Sequence, residues 1–186
     1  MGQDRISRGE VIIAGIGGMG VLVAGQVLLN SAFQLYKHVS YVPTYGFAKR
    51  GGLCQSTVIF SDEKITSPLV DQAQVVIILD SSQFMGFEPR VRPGGFIIVE
   101  QTGLNADRDR DDYTLCALPG LEIAVSLGST QVNNLILLGA YIKLLGAIPE
   151  EIIEGELRRK YQDNEKIMAR NLEAFRRGLE LGKSAA

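Results

Sequence analysis

Two stretches of the sequence carry residue types and spacings suited to holding a phosphorylated or carboxylated ligand. The first is Gly15-Ile16-Gly17-Gly18-Met19-Gly20. Its glycines at 15, 17 and 20 fit a dinucleotide-type turn, in which a phosphate approaches the N-terminus of the following helix. The second is Tyr45-Gly46, followed by Lys49-Arg50-Gly51-Gly52. Arg50 offers a fixed fork of donors for phosphate or carboxylate, the glycines leave room for close approach, and Tyr45 can wall the site. Each feature has an ordinary alternative: glycines that only let helix and strand pack, a solvated loop arginine, an aromatic loop anchor.

A dinucleotide site calls for an acid near the end of the second strand to hold the ribose hydroxyls. Between Val11 and Ser61 there is no Asp or Glu, while Lys37, Lys49 and Arg50 are present. NAD is therefore disfavoured, and NADP stays open because a base can take its extra phosphate. His38 reads as the cap or solvated end of a strand rather than a catalytic group. Cys54 and Cys116 read as small core residues with no activating neighbour. Asn133 and Asn134 lie inside an apolar helix, where an amide needs a partner, most simply a local backbone group. Asp80 ends a strand and can face the same crevice as the glycines.

These residues need a frame to position them. Glu10 to Ile16 is a short apolar run of the kind that forms a buried parallel strand, and the glycine turn leads from it into a helix reaching about Tyr36. Further strands are expected at Val39 to Val42, Cys54 to Phe60, Gln74 to Asp80, Phe96 to Glu100 and Tyr113 to Ala117. Pro43 to Gly52 is expected to be a loop, and Arg92-Pro93-Gly94-Gly95 a turn. From Leu121 the pattern is helical. Val132 to Leu145 is apolar nearly all round, Pro149 starts a further helix, and Asp163 to Leu181 forms a charged amphipathic one. The expected fold is α/β: a three-layer αβα arrangement with a Rossmann-like, mostly parallel sheet and a helical C-terminal third. It forms a single domain over residues 1–186, with the helical segment at about 149–183.

Composition narrows the function. At 186 residues, 46% hydrophobic and 22% charged, the chain has the make-up of one globular domain. A net charge of −2 argues against a general nucleic-acid binder. Two distant cysteines and one histidine supply neither an iron–sulfur ligand set nor a single-chain His-based zinc site. The polar N-terminus is not a secretory signal, and no apolar stretch is long enough for a bilayer. A cytoplasmic protein with reduced thiols is expected.

An ordered set of motifs spans nearly the whole chain. It comprises Gly15-x-Gly17-Gly18-x-Gly20-Val21, Val42-Pro43-x-Tyr45-Gly46-x3-Arg50-Gly51-Gly52, Ser61-Asp62, Ile65-x-Ser67-Pro68, Pro93-Gly94-Gly95, Asn134-x3-Leu138-Gly139-Ala140 and Asn171-x2-Ala174-Phe175-x2-Gly178. The set resembles the gamma subunit of 2-oxoacid:ferredoxin oxidoreductases, particularly the 2-oxoglutarate type. That resemblance implies a subunit of an enzyme converting 2-oxoglutarate and coenzyme A to succinyl-coenzyme A and carbon dioxide, with electrons passed to ferredoxin. Thiamine diphosphate with magnesium and the iron–sulfur clusters are implied to lie in the partner subunits, alpha, beta and a ferredoxin-like delta. This chain is implied to bind none of them alone and to have no catalytic residue. Its role is implied to be in assembly and on the coenzyme A side, through Gly15, Gly17, Gly18, Met19, Gly20, Tyr45, Gly46, Lys49, Arg50, Gly51 and Gly52.

Two positions depart from the pattern. Met19 stands where Gln is frequent. Phe47-Ala48-Lys49 stands where a Pro-Glu-containing stretch is usual, and Gly46 to Gly52 fits the loop of indolepyruvate-type oxidoreductases. An indolepyruvate-type subunit, a stand-alone NADP-dependent reductase and a ligand-free structural adaptor are the alternatives. In isolation the chain is expected to be inactive and open to homodimerisation.

Overall fold

The computed structural model describes residues 6–46, 52–105, 107 and 110–185. A six-stranded sheet has the order β2-β3-β1-β4-β5-β6. Its strands are β1 (Arg8–Ile16), β2 (His38–Tyr45), β3 (Leu53–Ser61), β4 (Ala73–Ile78), β5 (Val91–Glu100) and β6 (Thr114–Leu118). β3 runs against both of its neighbours, and every other strand runs with β1, so the sheet is mostly parallel as expected. Ile12, Ile13 and Ala14 are each 0% exposed, which is why β1 reads as a continuous apolar run rather than an alternating one.

Side chains leave successive residues of a strand on opposite faces. Val11, Ile13, Val58, Phe60, Val75 and Ile77 join one core with α1 (Val21–Phe33), α4 (Asn133–Leu145), α5 (Glu150–Lys160) and α6 (Glu165–Ala185). Ile12, Ala14, Val76, Ile78, Ile97 and Val99 form the opposite core, under Phe84 and Phe87 of the one-turn helix α2 (Phe84–Phe87) and Tyr113. The helical layers are therefore very unequal, and the carboxyl edge of the sheet faces α3 (Gly120–Ser126) and the start of α4. α4 is buried from Asn133 to Ile142 because α6 closes over it. The two helices approach at Gly139 and Gly178, where a Cβ would collide with the carbonyls of Phe175 and Ile136 respectively.

Three features differ from the sequence expectation. β2 continues through Pro43 and Thr44 to Tyr45 instead of ending at Val42. Proline lacks a donor, but β2 is an edge strand, where one missing N–H breaks no ladder. The expected turn at Arg92 to Gly95 lies within β5 as an irregularity, with the register against β4 jumping from Ala73↔Val91 to Val75↔Phe96. Finally, the crossover β1-α1-β2 skips a strand, because β3 folds back as a hairpin and inserts antiparallel between β1 and β2. In a dinucleotide-binding fold the strand after the first helix lies directly beside β1.

Candidate functional site

The glycine turn sits between β1 and α1. Gly18 has φ +101 and Gly20 φ +78, backbone that only glycine adopts without strain. At Gly20 a side chain is excluded twice, since a Cβ would also collide with the Asn134 amide. That amide donates from Nδ2 to the Gly20 carbonyl at 2.9 Å, tying the turn to α4. Gly17 N–H donates to the Gly52 carbonyl at 2.9 Å, tying the same turn to the start of β3. Three elements distant in sequence are thus fixed around one turn.

The turn leads into α1 with Gly20 as N-cap, no side-chain cap and no acid in the first helical turn. The first N–H groups of a helix lack intrahelical partners and carry the positive end of its dipole. Val21, Leu22 and Val23 line a cleft of 940 Å³ with Gly17, Gly18 and Gly20. Its other walls are the loop end of the β2–β3 hairpin (Tyr45, Gly46, Gly52, Leu53, Cys54), the approach to α4 and its first turn (Ser129, Gln131, Asn134), Tyr161 after α5, and α6 (Ile167, Arg170, Asn171). Tyr45 and Ile167 are 62% and 41% exposed, forming apolar rims, while Asn134 and Asn171 are 4% and 6% exposed. Arg170 is the charged residue among the described lining residues, and it has no ion-pair partner among them.

Burial pushes the Cys54 thiol up, so it remains a protonated thiol at neutral pH. It pushes the Tyr161 hydroxyl up as well, with the hydrogen bond from Asn171 opposing the shift. Among the described lining residues there is no carboxylate or imidazole. With Arg170 as the charged group and apolar rims, the described lining suits binding of an anionic, partly apolar ligand.

The sequence profile of the pyruvate ferredoxin/flavodoxin oxidoreductase family matches residues 10–181. The chain belongs to this family. It is 33% identical over 172 residues to the ketoisovalerate oxidoreductase subunit VorA of Methanothermobacter thermautotrophicus, covering 92% of this chain and 36% of that one. The chain thus spans about a third of the length of that relative. To the 2-oxoglutarate synthase subunit KorC of Methanocaldococcus jannaschii it is 29% identical, over 98% and 99% of the two chains. The keto/oxoacid ferredoxin oxidoreductase gamma subunit of Geobacter sulfurreducens superposes with a TM-score of 0.80 at 24% identity, over 97% of this chain and 99% of that one. The 2-oxoglutarate:ferredoxin oxidoreductase of Magnetococcus marinus, solved with 2-oxoglutarate, coenzyme A and succinyl-coenzyme A bound, gives 0.86 at 23% identity, over 97% and 32%.

Within this family member, Gly17, Gly18, Gly20, Tyr45, Gly46 and Gly52 all meet at the cleft. Gly15 lies beneath the turn, where a Cβ would stand 3.1 Å from Leu79 and 3.2 Å from Val21. Met19 turns into a second, smaller crevice on the other side of the turn. Lys49, Arg50 and Gly51 lie outside the described residues. Asn133 and Asn134 have partners, but remote ones: the carbonyls of Leu79 and Gly20. Arg170, Gln131 and Tyr161 also line the cleft and carry no local sequence signal of it. Arg170 is one of several bases on a charged helix, and only the closure of α6 over α4 singles it out. His38 opens β2 and is exposed.

Among the described residues no group of three or more His, Cys, Asp or Glu is placed to hold a metal ion, and no helix is long and apolar enough to cross a membrane. The two cysteines lie on β3 and β6, far apart in the strand order, which does not fit an iron–sulfur cluster. No acidic residue is among the described residues lining the main cleft, so they offer a thiamine diphosphate–magnesium pair no carboxylate ligand.

Proposed function

We propose that this chain is the gamma component, a single gamma-type domain, of a thiamine-dependent 2-oxoacid:ferredoxin oxidoreductase in the cytoplasm. In this reading the cleft takes the phosphate-bearing part of coenzyme A, and thiamine diphosphate and the iron–sulfur clusters belong to alpha, beta and delta partners. The observation that carries the reading is the convergence of Arg170 and the uncapped start of α1 on one cleft beside the glycine turn. A helix N-terminus and a guanidinium both favour phosphate oxygens, and neither assists the redox chemistry itself. Lys49 and Arg50 stand in the sequence between Gly46 and Gly52, two cleft residues, and add positive charge to this reading.

The proposed oxoacid is 2-oxoglutarate. Its support is the match to a KorC chain at 29% identity over 99% of that chain, against 25% for a pyruvate synthase subunit of similar coverage and a match to only 36% of the ketoisovalerate subunit. The NADP reading is weaker than the sequence allowed, because β3 occupies the place beside β1 that a dinucleotide fold gives to the strand after the first helix.

The test is Arg170→Ala in the complex reassembled with its partners. Loss of one charge-assisted contact, about 1.5–3 kcal/mol, corresponds to a rise in the KM for coenzyme A of about 10-fold or more. The 2-oxoacid KM and the half-reaction without coenzyme A should be unchanged. An unchanged coenzyme A KM in an intact complex removes the cleft from coenzyme binding.

A further inference from the structure

The two edges of the sheet are protected unequally. β6 is five residues long and is preceded by Arg110, Asp111 and Asp112; shortness and charge are ordinary protection for an edge. β2, the other edge, is eight residues long and holds no Lys, Arg, Asp or Glu, with Lys37 standing just outside it. Gly46 N–H donates to the Leu53 carbonyl at 2.8 Å, which fixes the alternation along the β2–β3 ladder. Even-numbered residues of β2 turn their backbone groups to β3, and Val39, Tyr41, Pro43 and Tyr45 turn theirs outward. These outward groups have no partner among the described residues. Pro43 interrupts the row by lacking an N–H.

α1 adds an apolar flank above this edge. Gly25 faces β2: a Cβ there would stand 2.9 Å from the Tyr41 ring. On another side of the helix, Asn30 donates to Glu156 of α5 at 2.8 Å. Leu22, Leu29 and Phe33 recur at helical spacing on the flank between these two contacts. Phe33 is 74% exposed. Like β2, α1 holds no charged side chain from Val21 to Phe33. When identical edges meet, identical charges face each other and repel, so an edge free of charge suits pairing with its own copy.

We infer that β2 pairs antiparallel with β2 of a second copy of this chain, making one continuous sheet across a twofold axis. With Val42 on the axis the whole strand is used: Val39 faces Tyr45, and Tyr41 faces Pro43, of the other copy. Each proline forfeits one ladder bond. The axis stands perpendicular to the sheet, so both α1 helices lie on the same side of it. α1 packs chiefly on β3. The two β3 strands are then three strand spacings apart, about 14 Å, which keeps the helices clear of each other and leaves a gap for large side chains. Phe33 lies eight residues beyond Gly25, about 12 Å along the sheet. Since Gly25 is level with Tyr41, Phe33 is level with the start of β2. In an antiparallel pair that start lies beside the end of the other β2, so Phe33 reaches Tyr45 of the second copy, which is 62% exposed. Tyr45 lines the main cleft, so each copy adds an aromatic ring to the rim of the other's cleft. The pairing does not rest on the coenzyme A reading.

The experiment uses the full chain. Analytical ultracentrifugation should show a dimer, and Phe33→Ser should raise its dissociation constant about tenfold or more. Phe33 is exposed in the single copy, so the variant should keep the thermal transition of the parent monomer. Val42→Cys should close a disulfide across the axis on mild oxidation with diamide, because directly opposed residues of a non-hydrogen-bonded pair have Cα atoms about 4.5 Å apart. Thr44→Cys is the control. Thr44 is the more exposed of the two positions, but its copies would lie four residues out of register, about 13 Å apart, and should not crosslink. A chain that is monomeric at every concentration overturns the pairing. So does a dimer indifferent to Phe33→Ser, or equal crosslinking at positions 42 and 44. In the complex purified with its partners, a crosslink from Val42→Cys to a different chain overturns it too, and gives the edge to that partner.

Discussion

Gly20→Ala tests how the site is held together. The position has φ +78, and placing a β-carbon in that region costs about 1–2 kcal/mol. The new methyl would also push aside the Asn134 amide, breaking its bond to the Gly20 carbonyl. That carbonyl keeps one partner, the Ala24 N–H at 3.0 Å, and the displaced amide can turn into the cleft. The lost bond is therefore worth only its net value, about 1 kcal/mol. The sum is a destabilisation of about 2–3 kcal/mol. Gly18→Ala is the internal control: its φ is +101, but no atom lies within 4 Å of the added carbon, so it should show the backbone cost alone. Asn134→Ala removes the same hydrogen bond from the other side. Gly20→Ala and Asn134→Ala then count one bond twice, and the double variant should be less destabilised than their sum by about 1 kcal/mol. Urea unfolding of the full chain, followed by far-ultraviolet circular dichroism, measures all four variants. Equal costs at Gly18 and Gly20, together with strict additivity, would refute the claim that Asn134 pins the turn.

Glycines elsewhere predict opposite signs for one substitution. Gly178→Ala drives a methyl into the Ile136 carbonyl and should cost about 2–3 kcal/mol, whereas Gly155→Ala, on α5 with nothing nearby, should stabilise by about 0.5–1 kcal/mol in the same unfolding assay. The hydrogen bonds from Arg176 hold the Glu154 carboxyl below its usual range, with Arg158 adding to the effect. A depressed carboxylate adds stability above its unfolded value, about 4.3, and loses it as pH falls through the lower folded value. Because Arg176 is half exposed, Glu154→Gln should cost only about 0.5–1 kcal/mol at pH 7, with the difference fading below about pH 4 on a stability–pH curve.

The parts of the fold legible in the sequence were those in which a local pattern and the tertiary role agree. β1 is apolar because both its faces are covered, and α4 is apolar all round because α6 closes its outer side. β2 was cut short at Pro43 because a proline reads as a break, and its harmlessness depends on β2 being at the edge, a non-local fact. The order of strands was not legible either: the β3 hairpin inserts beside β1 without any local mark of doing so. The same division holds at the site. Its glycines are visible because backbone geometry constrains residue type locally. Arg170 and Asn171 come from the other end of the chain and reach the cleft only through helix packing. Asn133 stands out as an amide in an apolar helix, but its partner, the Leu79 carbonyl, lies 54 residues away and leaves no local mark.

Whether the cleft serves the coenzyme or the 2-oxoacid can be decided by charge. The competing account places Arg170 on the distal carboxylate of 2-oxoglutarate, a group that pyruvate lacks. Under that account Arg170→Ala would cost 2-oxoglutarate about 1.5–3 kcal/mol and pyruvate nothing, shifting the ratio of their kcat/KM values by about 10-fold or more. Under the coenzyme account the lost contact is common to every 2-oxoacid. The coenzyme A KM rises for each, and the ratio stays where it was. Steady-state assays of the reassembled complex with both oxoacids, at saturating and at limiting coenzyme A, separate the two. The coenzyme account expects a constant ratio at both coenzyme levels. A ratio that moves toward pyruvate, with the coenzyme A KM unchanged, would reassign Arg170 to substrate choice and make this chain, rather than its partners, the place where the 2-oxoacid is selected.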